Sequence, residues 1–331
     1  MFFPESSNAP ASSMRCGIVL SAGNGTRLRE FVRQRRGDDL PKQYINFVGR
    51  RSMLEHTWDR AERLISAQRL FVVVAKEHLK FHEVNRQLAL KPPQSLIIQP
   101  GNRETAPGIL LPLLHVYKHY PDATVALFPS DHFVHEEERF MGHVDRAFHL
   151  VESDSSRLVL LGLEPDGPDP DYGYIVPGGT IDGSQGDSAR QVEMFVEKPS
   201  TKVAAKIIDR GALWNTMVMV FACKTLLSVI ERAAPKLYRA FEPIQNALGT
   251  ADELEIVEQV YRKLPSLNFS TGILEALPFE HRRALLVLPV RGVSWSDWGT
   301  SDRLSSMLDR LGADDARRES AVPETARLRV A

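Results

Sequence analysis

The chain has 331 residues, 43% of them hydrophobic, with Lys+Arg 41 against Asp+Glu 42 and a formal net charge of -1. That balance gives no global field to recruit nucleic acid or an anionic membrane, so any anion binding has to be local. The length suits one large α/β domain or two smaller ones. Cys16 and Cys223, the only cysteines, exclude a disulfide framework and a thiolate metal cluster, and no apolar run is long enough to span a membrane.

Met1 to Ser13 reads as a disordered lead, small and polar after two phenylalanines, without the succession of a signal peptide, and a cytoplasmic location is expected. The folded part is expected over 15–311, after a disordered lead at 1–14 and before a charged, apolar-poor tail at 312–331. Cys16-Gly17-Ile18-Val19-Leu20-Ser21-Ala22-Gly23-Asn24-Gly25-Thr26-Arg27-Leu28 reads as strand, tight loop and helix start. Glycine allows close approach of a ligand, and loop amides leading into a helix make an anion site. The dinucleotide fingerprint fails because position 28 is Leu, and the P-loop fails because Arg27 follows Thr26. On spacing alone the stretch is a phosphate cradle or an ordinary turn.

Glu30 to Asp39 reads as a flexible charged loop, after which Lys42 joins Arg27 in flanking a phosphate. Met53 to Ile65 has helical spacing, and Leu70 to Ala75 and Leu96 to Ile98 are strands. Thr105 is expected to cap the helix that carries Ile109 to Tyr120. His115 and His119 lie four apart there, but no zincin pattern accompanies them. Thr124 to Phe128 is a strand delivering Asp131 to a carboxyl end, either as a helix cap or as a site residue.

Leu158 to Leu163 is a further strand, and Gly178 to Ser188 reads as a mobile turn. Met194 to Pro199 ends a strand on Glu197 and Lys198, and Leu213 to Phe221 is a buried strand carrying Asn215. Leu226 to Leu248 and Ala251 to Leu264 are helical, interrupted at Pro235 and Pro243. Leu285 to Val290 is the last strand, Asp297 sits between Trp295 and Trp298, and Arg303 to Leu311 closes the fold.

Leu20 to Leu28, Pro41-Lys42-Gln43, Arg103-Glu104-Thr105-Ala106-Pro107, Pro129-Ser130-Asp131-His132, Tyr172-Gly173-Tyr174-Ile175, Phe195-Val196-Glu197-Lys198-Pro199, Leu213-Trp214-Asn215 and Trp295-Ser296-Asp297 resemble, in order, the motifs of the sugar-phosphate nucleotidyltransferases. The pattern is most similar to the mannose-1-phosphate guanylyltransferase branch and covers residues about 15 to 305. The resemblance implies a Rossmann-like (GT-A type) α/β fold with a mixed, mainly parallel sheet flanked by helices. It implies joining of a sugar-1-phosphate to a nucleoside triphosphate with release of pyrophosphate, mannose-1-phosphate and GTP being the first pair to consider. Such chemistry rests on positioning and on opposing phosphate charge.

By the same resemblance, Ala22, Gly23, Asn24, Gly25 and Thr26 wrap the nucleotide, Gln99 and Arg103 face the base, and Arg27 and Lys42 hold the triphosphate. Lys198 binds the sugar phosphate as the third catalytic cation, while Glu197, Asn215 and the Gly173 backbone bind sugar hydroxyls. Asp131 and Asp297 hold Mg²⁺, a hard cation suited to carboxylate and phosphate oxygens. Nucleic acid and membrane are not expected partners, and a homodimer is compatible with the pattern.

The sequence departs from the mannose pattern in three places. Ala22-Gly23 stands for Gly-Gly, Glu104 for Asn, and Asn268-Phe269-Ser270-Thr271 for Ser-Ile-Asp-Tyr, so Ser270 replaces an acid near the sugar. The chain past the matched motifs has no room for a cupin-type isomerase or a long left-handed β-helix, so a single activity is expected. A non-catalytic relative that binds nucleotide sugars, the same reaction on another sugar or base, and a nicotinamide-dependent dehydrogenase are the competing readings.

Overall fold

The computed structural model describes residues 14–181, 188–277 and 284–309, so the expectations for the lead, the tail and most of the glycine-rich turn lie outside the described residues. The first strand, β1 (Arg15–Ser21), is apolar on both faces and therefore central. It leads through a short 3₁₀ turn (Thr26–Leu28) into α1 (Arg29–Arg36). This helix replaces the charged loop expected there: Arg, Glu and Gln are good helix formers, Val32 is buried, and Gly37 ends the helix at φ 79°. The loop expectation fails because the charged residues of this stretch are themselves good helix formers.

The helix α2 (Met53–Glu62) starts in a capping box formed by Ser52 and Glu55. It is followed by β2 (Leu70–Ala75), α3 (His82–Leu88), β3 (Leu96–Gln99) and α4 (Thr105–His119). Thr105 does not cap α4; its hydroxyl accepts from the Phe269 amide at 2.7 Å, tying the helix start to a distant segment. His115 of α4 faces Glu253 and His119 packs on Tyr120, and no group of three or more metal-ligating side chains forms among the described residues.

Next come β4 (Thr124–Pro129), β5 (Phe133–Val134), α5 (Glu137–Ser153), β6 (Leu158–Leu163), β7 (Gly173–Thr180), β8 (Arg190–Glu197), α6 (Thr201–Ile208) and β9 (Leu213–Ala222). Gly178 to Thr180, expected in a turn, continue β7. The next helical region is split into α7 (Cys223–Ala233), α8 (Pro235–Ala240) and α9 (Glu242–Ala247), with Pro235 and Pro243 in first turns where a missing N–H costs nothing. The chain then forms α10 (Glu253–Lys263), a π-helical turn (Ser270–Leu274), β10 (Leu285–Val290), β11 (Trp295–Ser296) and α11 at 301–309.

Among the described residues nine strands form one sheet in the order β3-β2-β1-β4-β9-β6-β10-β8-β7, and β9 also reaches β7. The expected mixed sheet flanked by helices is present. Its parallel character is concentrated in β3-β2-β1-β4 and in the β6–β10 pair, whereas β9 and the β7–β8 ribbon run antiparallel to their neighbours. One face packs on α4 and α7 to α10, with Leu113, Phe221 and Phe269 in that core. The other packs on α2, α3, α5 and α6 around Trp58, Phe148 and Val220. Where β9 meets β6, Leu160 opposes Met219 and Gly162 opposes Asn215, so four residues of β9 answer two of β6. Met217, at φ 56°, carries this bulge.

Candidate active site

The loop after β1 is built from both directions. Gly25 adopts φ 56°, a backbone conformation that favours glycine, and packs against Lys42, whose side chain would lie 3.4 Å from a Cβ built there. Gln43 donates to the carbonyls of Ser21 (3.0 Å) and Gly23 (2.8 Å), and the Tyr44 hydroxyl donates to Ser21 at 3.1 Å. His78 lies 3.2 Å from the Asn24 side-chain oxygen and 3.2 Å from Tyr44. With these carbonyls engaged from behind, the loop is fixed before any ligand arrives.

A cavity of about 300 Å³ opens beside the loop, lined by Gly25, Thr26, Arg27, Lys42, Asp131 and Asp297 among others. Lys42 is buried, lies 3.0 Å from an Asp131 carboxylate oxygen, and also donates to the backbone carbonyls of Asp297 and Trp298. Asp131 is no helix cap, since α5 starts at Glu137. Asp297 accepts from the Tyr172 hydroxyl (3.1 Å), the Gly299 amide (2.9 Å) and Arg303 (3.0 Å). Burial pushes both carboxyls up, but Lys42 and His132 outweigh it for each, with Arg303 also acting on Asp297, and both stay below the ordinary range. Arg27 is half-exposed and 3.4 Å from Asp171, and Arg303 of α11 also holds Asp169 at 2.6 Å.

A second cavity, about 230 Å³, lies at the ends of β1, β2 and β3 and is lined by Leu20, Ala22, Gly23, Val73, Gln99, Asn102, Glu104, Thr105 and Gly108. Gln99 is buried; its Nε2 donates to Gly101 at 2.7 Å, and its Oε1 has no partner among the described residues. Arg103 does not line this cavity and instead donates to the Tyr261 carbonyl at 2.9 Å.

The third cluster joins the ends of β7, β8 and β9. A Cβ on Gly173 would stand 2.6 Å from Glu197 Oε2 and 3.6 Å from the Asn215 Cβ, so these three residues converge. Burial pushes the Glu197 carboxyl up, while Lys198 and Ser270 pull it back and Glu275 adds to the rise. The Lys198 ammonium lies 4.0 Å from Glu197, and Glu275 accepts from the Glu197 amide at 3.0 Å. Among the described residues, the non-glycine positions with left-handed φ are Glu104, Lys198, Met217 and Trp298, and every one borders a cluster described above.

Sequence reasoning passed over Tyr172, His78 and Arg303. Tyr172 lies inside a quoted motif, but no local signal marks Arg303, whose role depends on α11 returning to β11. A larger cavity of about 940 Å³ lies beyond His132, but its arginines are engaged: Arg51 with Asp59, Arg60 and Arg63 with Glu137, and Arg139 with the Gly292 carbonyl. No helix among the described residues is long and apolar enough to cross a membrane.

This sheet, with charged residues gathered outside its strand ends, agrees with the family comparison: residues 16–312 match the nucleotidyl transferase family, and the chain belongs to it. The chain is similar to the xanthan biosynthesis protein XanB of Xanthomonas campestris, 29% identical over 90% of this chain and 60% of the relative. It is also similar to a mannose-1-phosphate guanylyltransferase of Escherichia coli, 26% identical over 92% of this chain and 63% of the relative. The chain thus spans about three fifths of the length of these relatives. Among solved structures, a mannose-1-phosphate geranyltransferase from Thermus thermophilus superposes with a TM-score of 0.70 at 26% identity, covering 86% of this chain and 76% of that one.

Proposed function

We propose that the chain joins a sugar-1-phosphate, mannose-1-phosphate first among them, to a nucleoside triphosphate, GTP first among them, forming a nucleotide sugar and releasing pyrophosphate. The observation that carries this reading is the 300 Å³ cavity, where loop residues Gly25 to Arg27 and the Lys42 ammonium face the carboxylates of Asp131 and Asp297. The base cavity lies on one side of the glycine loop, and the Gly173, Glu197 and Asn215 cluster supplies hydroxyl partners for the sugar. Similarity to mannose-1-phosphate guanylyltransferases supports the choice of first substrates.

In this reading the sugar-phosphate oxygen attacks the α-phosphorus and pyrophosphate leaves, so charge on the reacting phosphates is the main obstacle. Arg27 and Lys42 oppose that charge, Lys198 holds the sugar phosphate, and the preformed loop orients the triphosphate. The donor set fits a magnesium ion: two carboxylates border one cavity, no larger acid or imidazole cluster occurs among the described residues, and Mg²⁺ takes its remaining ligands from water and phosphate. Held by Asp131 and Asp297, it would neutralise developing phosphate charge.

Incubating the protein with each nucleoside triphosphate, each sugar-1-phosphate and Mg²⁺, and following pyrophosphate, tests the proposal. Release with GTP and mannose-1-phosphate supports it in full. Release with another pair reassigns the substrates, and binding without release from any pair leaves a non-catalytic nucleotide-sugar binder.

A further inference from the structure

Asp297 is held by one of its two oxygens. The Tyr172 hydroxyl (3.1 Å), the Gly299 amide (2.9 Å) and Arg303 Nη1 (3.0 Å) all donate to Oδ1, and Oδ2 takes no hydrogen bond among the described residues. Gly299 leaves room for this arrangement: a Cβ there would stand 2.6 Å from Asp297 Oδ2 and 3.0 Å from Arg303 Nη1, pressing on both groups at once. The Asp297 side chain lines the 300 Å³ cavity and keeps 15% of its surface exposed.

Arg303 reaches Asp297 from the first turn of α11. The Thr300 hydroxyl accepts from the Arg303 amide at 3.3 Å, and Leu304 and Met307 are buried with Trp298 and Met53, so the start of the helix is fixed in place. A cation in a first turn opposes the helix dipole, so helix formation alone does not call for arginine here. Carboxylates hold it instead: Nη2 donates to Asp169 at 2.6 Å and to Asp171 at 3.2 Å, while the guanidinium stacks on the Tyr172 ring at 4.3 Å. Arg27 also pairs with Asp171, so two arginines face the three acids Asp169, Asp171 and Asp297, and one negative charge is left over. The bond from Arg303 therefore orients Asp297 without cancelling its charge.

We propose that Arg303 is a positioning residue for the metal: it clamps Asp297 by Oδ1 and so leaves Oδ2 for the ion. This rests on the proposed nucleotidyl transfer and on Asp297 as a ligand. A carboxylate already fixed by its outer partners loses less freedom when an ion binds, which is how groups behind a ligand raise metal affinity. Arginine suits the task because its planar fork donates to Asp297 through one nitrogen and to Asp169 and Asp171 through the other. The metal site is then completed by α11, a helix that touches neither the glycine loop nor the ion itself.

The test titrates Mn²⁺, a paramagnetic stand-in for Mg²⁺ at carboxylate sites, into the nucleotide-free protein and follows it by electron paramagnetic resonance, with Asp297→Asn as the reference. Arg303→Lys keeps the charge but loses the fork, and Arg303→Met combined with Asp169→Asn keeps the net charge without the clamp. Both should weaken Mn²⁺ binding roughly tenfold or more, the scale of a group that orients a metal ligand. Raised Mg²⁺ should restore kcat to Arg303→Lys and not to Asp297→Asn, a split that a mere staple for α11 would not produce. Wild-type Mn²⁺ affinity in both Arg303 variants, whatever their Tm, overturns the inference. Wild-type affinity in Asp297→Asn removes Asp297 from the metal site and the inference with it. If no substrate pair releases pyrophosphate the proposed function fails, and the Mn²⁺ titration still decides the role of Arg303.

Discussion

The Lys42 ammonium lies 3.0 Å from the Asp131 carboxylate and donates at the same time to the Asp297 carbonyl, so one cation closes the gap between the two acids proposed to hold the metal. Without nucleotide, lysine and metal compete for the same negative potential. Lys42→Met is therefore expected to tighten Mg²⁺ binding to the nucleotide-free protein roughly tenfold, about 1.4 kcal/mol, while lowering kcat/KM for pyrophosphate release. Isothermal titration of Mg²⁺ decides it; weaker metal binding in the variant would mean that Lys42 supports the ion instead of displacing it.

Asp131→Asn and Asp297→Asn should each reduce turnover by about a thousandfold or more if both acids hold the ion. Their structural consequences differ. Asp297 accepts from Tyr172, Gly299 and Arg303, whereas the principal partner of Asp131 is Lys42. Asp297→Asn is accordingly expected to lower Tm more than Asp131→Asn does. Chelation with EDTA should abolish wild-type turnover, and added Mg²⁺ should restore it. Full turnover in either variant would remove that residue from the metal site.

Gly173→Ala tests the third cluster with one methyl group. The new Cβ would stand 2.6 Å from Glu197 Oε2, so the carboxylate must move. We expect KM for the sugar phosphate to rise by roughly tenfold or more, with KM for the nucleotide unchanged, because misplacement of about 1 Å carries that scale of penalty. Steady-state kinetics with each substrate varied in turn would separate the two, and an equal rise in both would point to general distortion.

His78 predicts a pH dependence of stability. Burial holds its imidazole at about 4, opposed by the nearby Glu77, whereas an unfolded histidine titrates near 6.5. Between these values the unfolded chain binds a proton that the folded chain refuses, so stability falls as pH drops from about 6.5 to 4, by on the order of 3 kcal/mol in total from this residue. Above about 6.5 the residue contributes no slope. His78→Gln should flatten Tm against pH across that window relative to wild type, and parallel curves would refute the assignment.

Much of this was legible along the chain. The strands β1, β2, β4 and β6 announce themselves as apolar runs, and Asp131 and Asp297 stand just past strand ends, where an open sheet gathers its ligands. What stayed hidden depends on segments far apart in sequence meeting in space. The hydroxyl of Thr105 serves Phe269 instead of its own helix, Arg103 turns to Tyr261, and Arg303 reaches back across β11 to Asp297 and Asp169. Periodicity reports burial of a face and says nothing of which distant carbonyl a side chain will find. The misreading of α1 has a different origin, since its exposed charges hide helix formers that bury only Val32.

The bulge in β9 has an even count, and that parity matters. Because β9 spends four residues where β6 spends two, Met219 and Phe221 beyond the bulge and Leu213 before it still face the same core. An odd count would have turned Asn215 to the opposite side of the sheet. An even one works like a vernier, sliding the leading end of the strand by roughly 7 Å without rotating it. The position of Asn215 beside Gly173 can therefore be reset by paired insertions or deletions around Met217, leaving the ladder between β4 and β9 and the half of the sheet that carries the glycine loop in register.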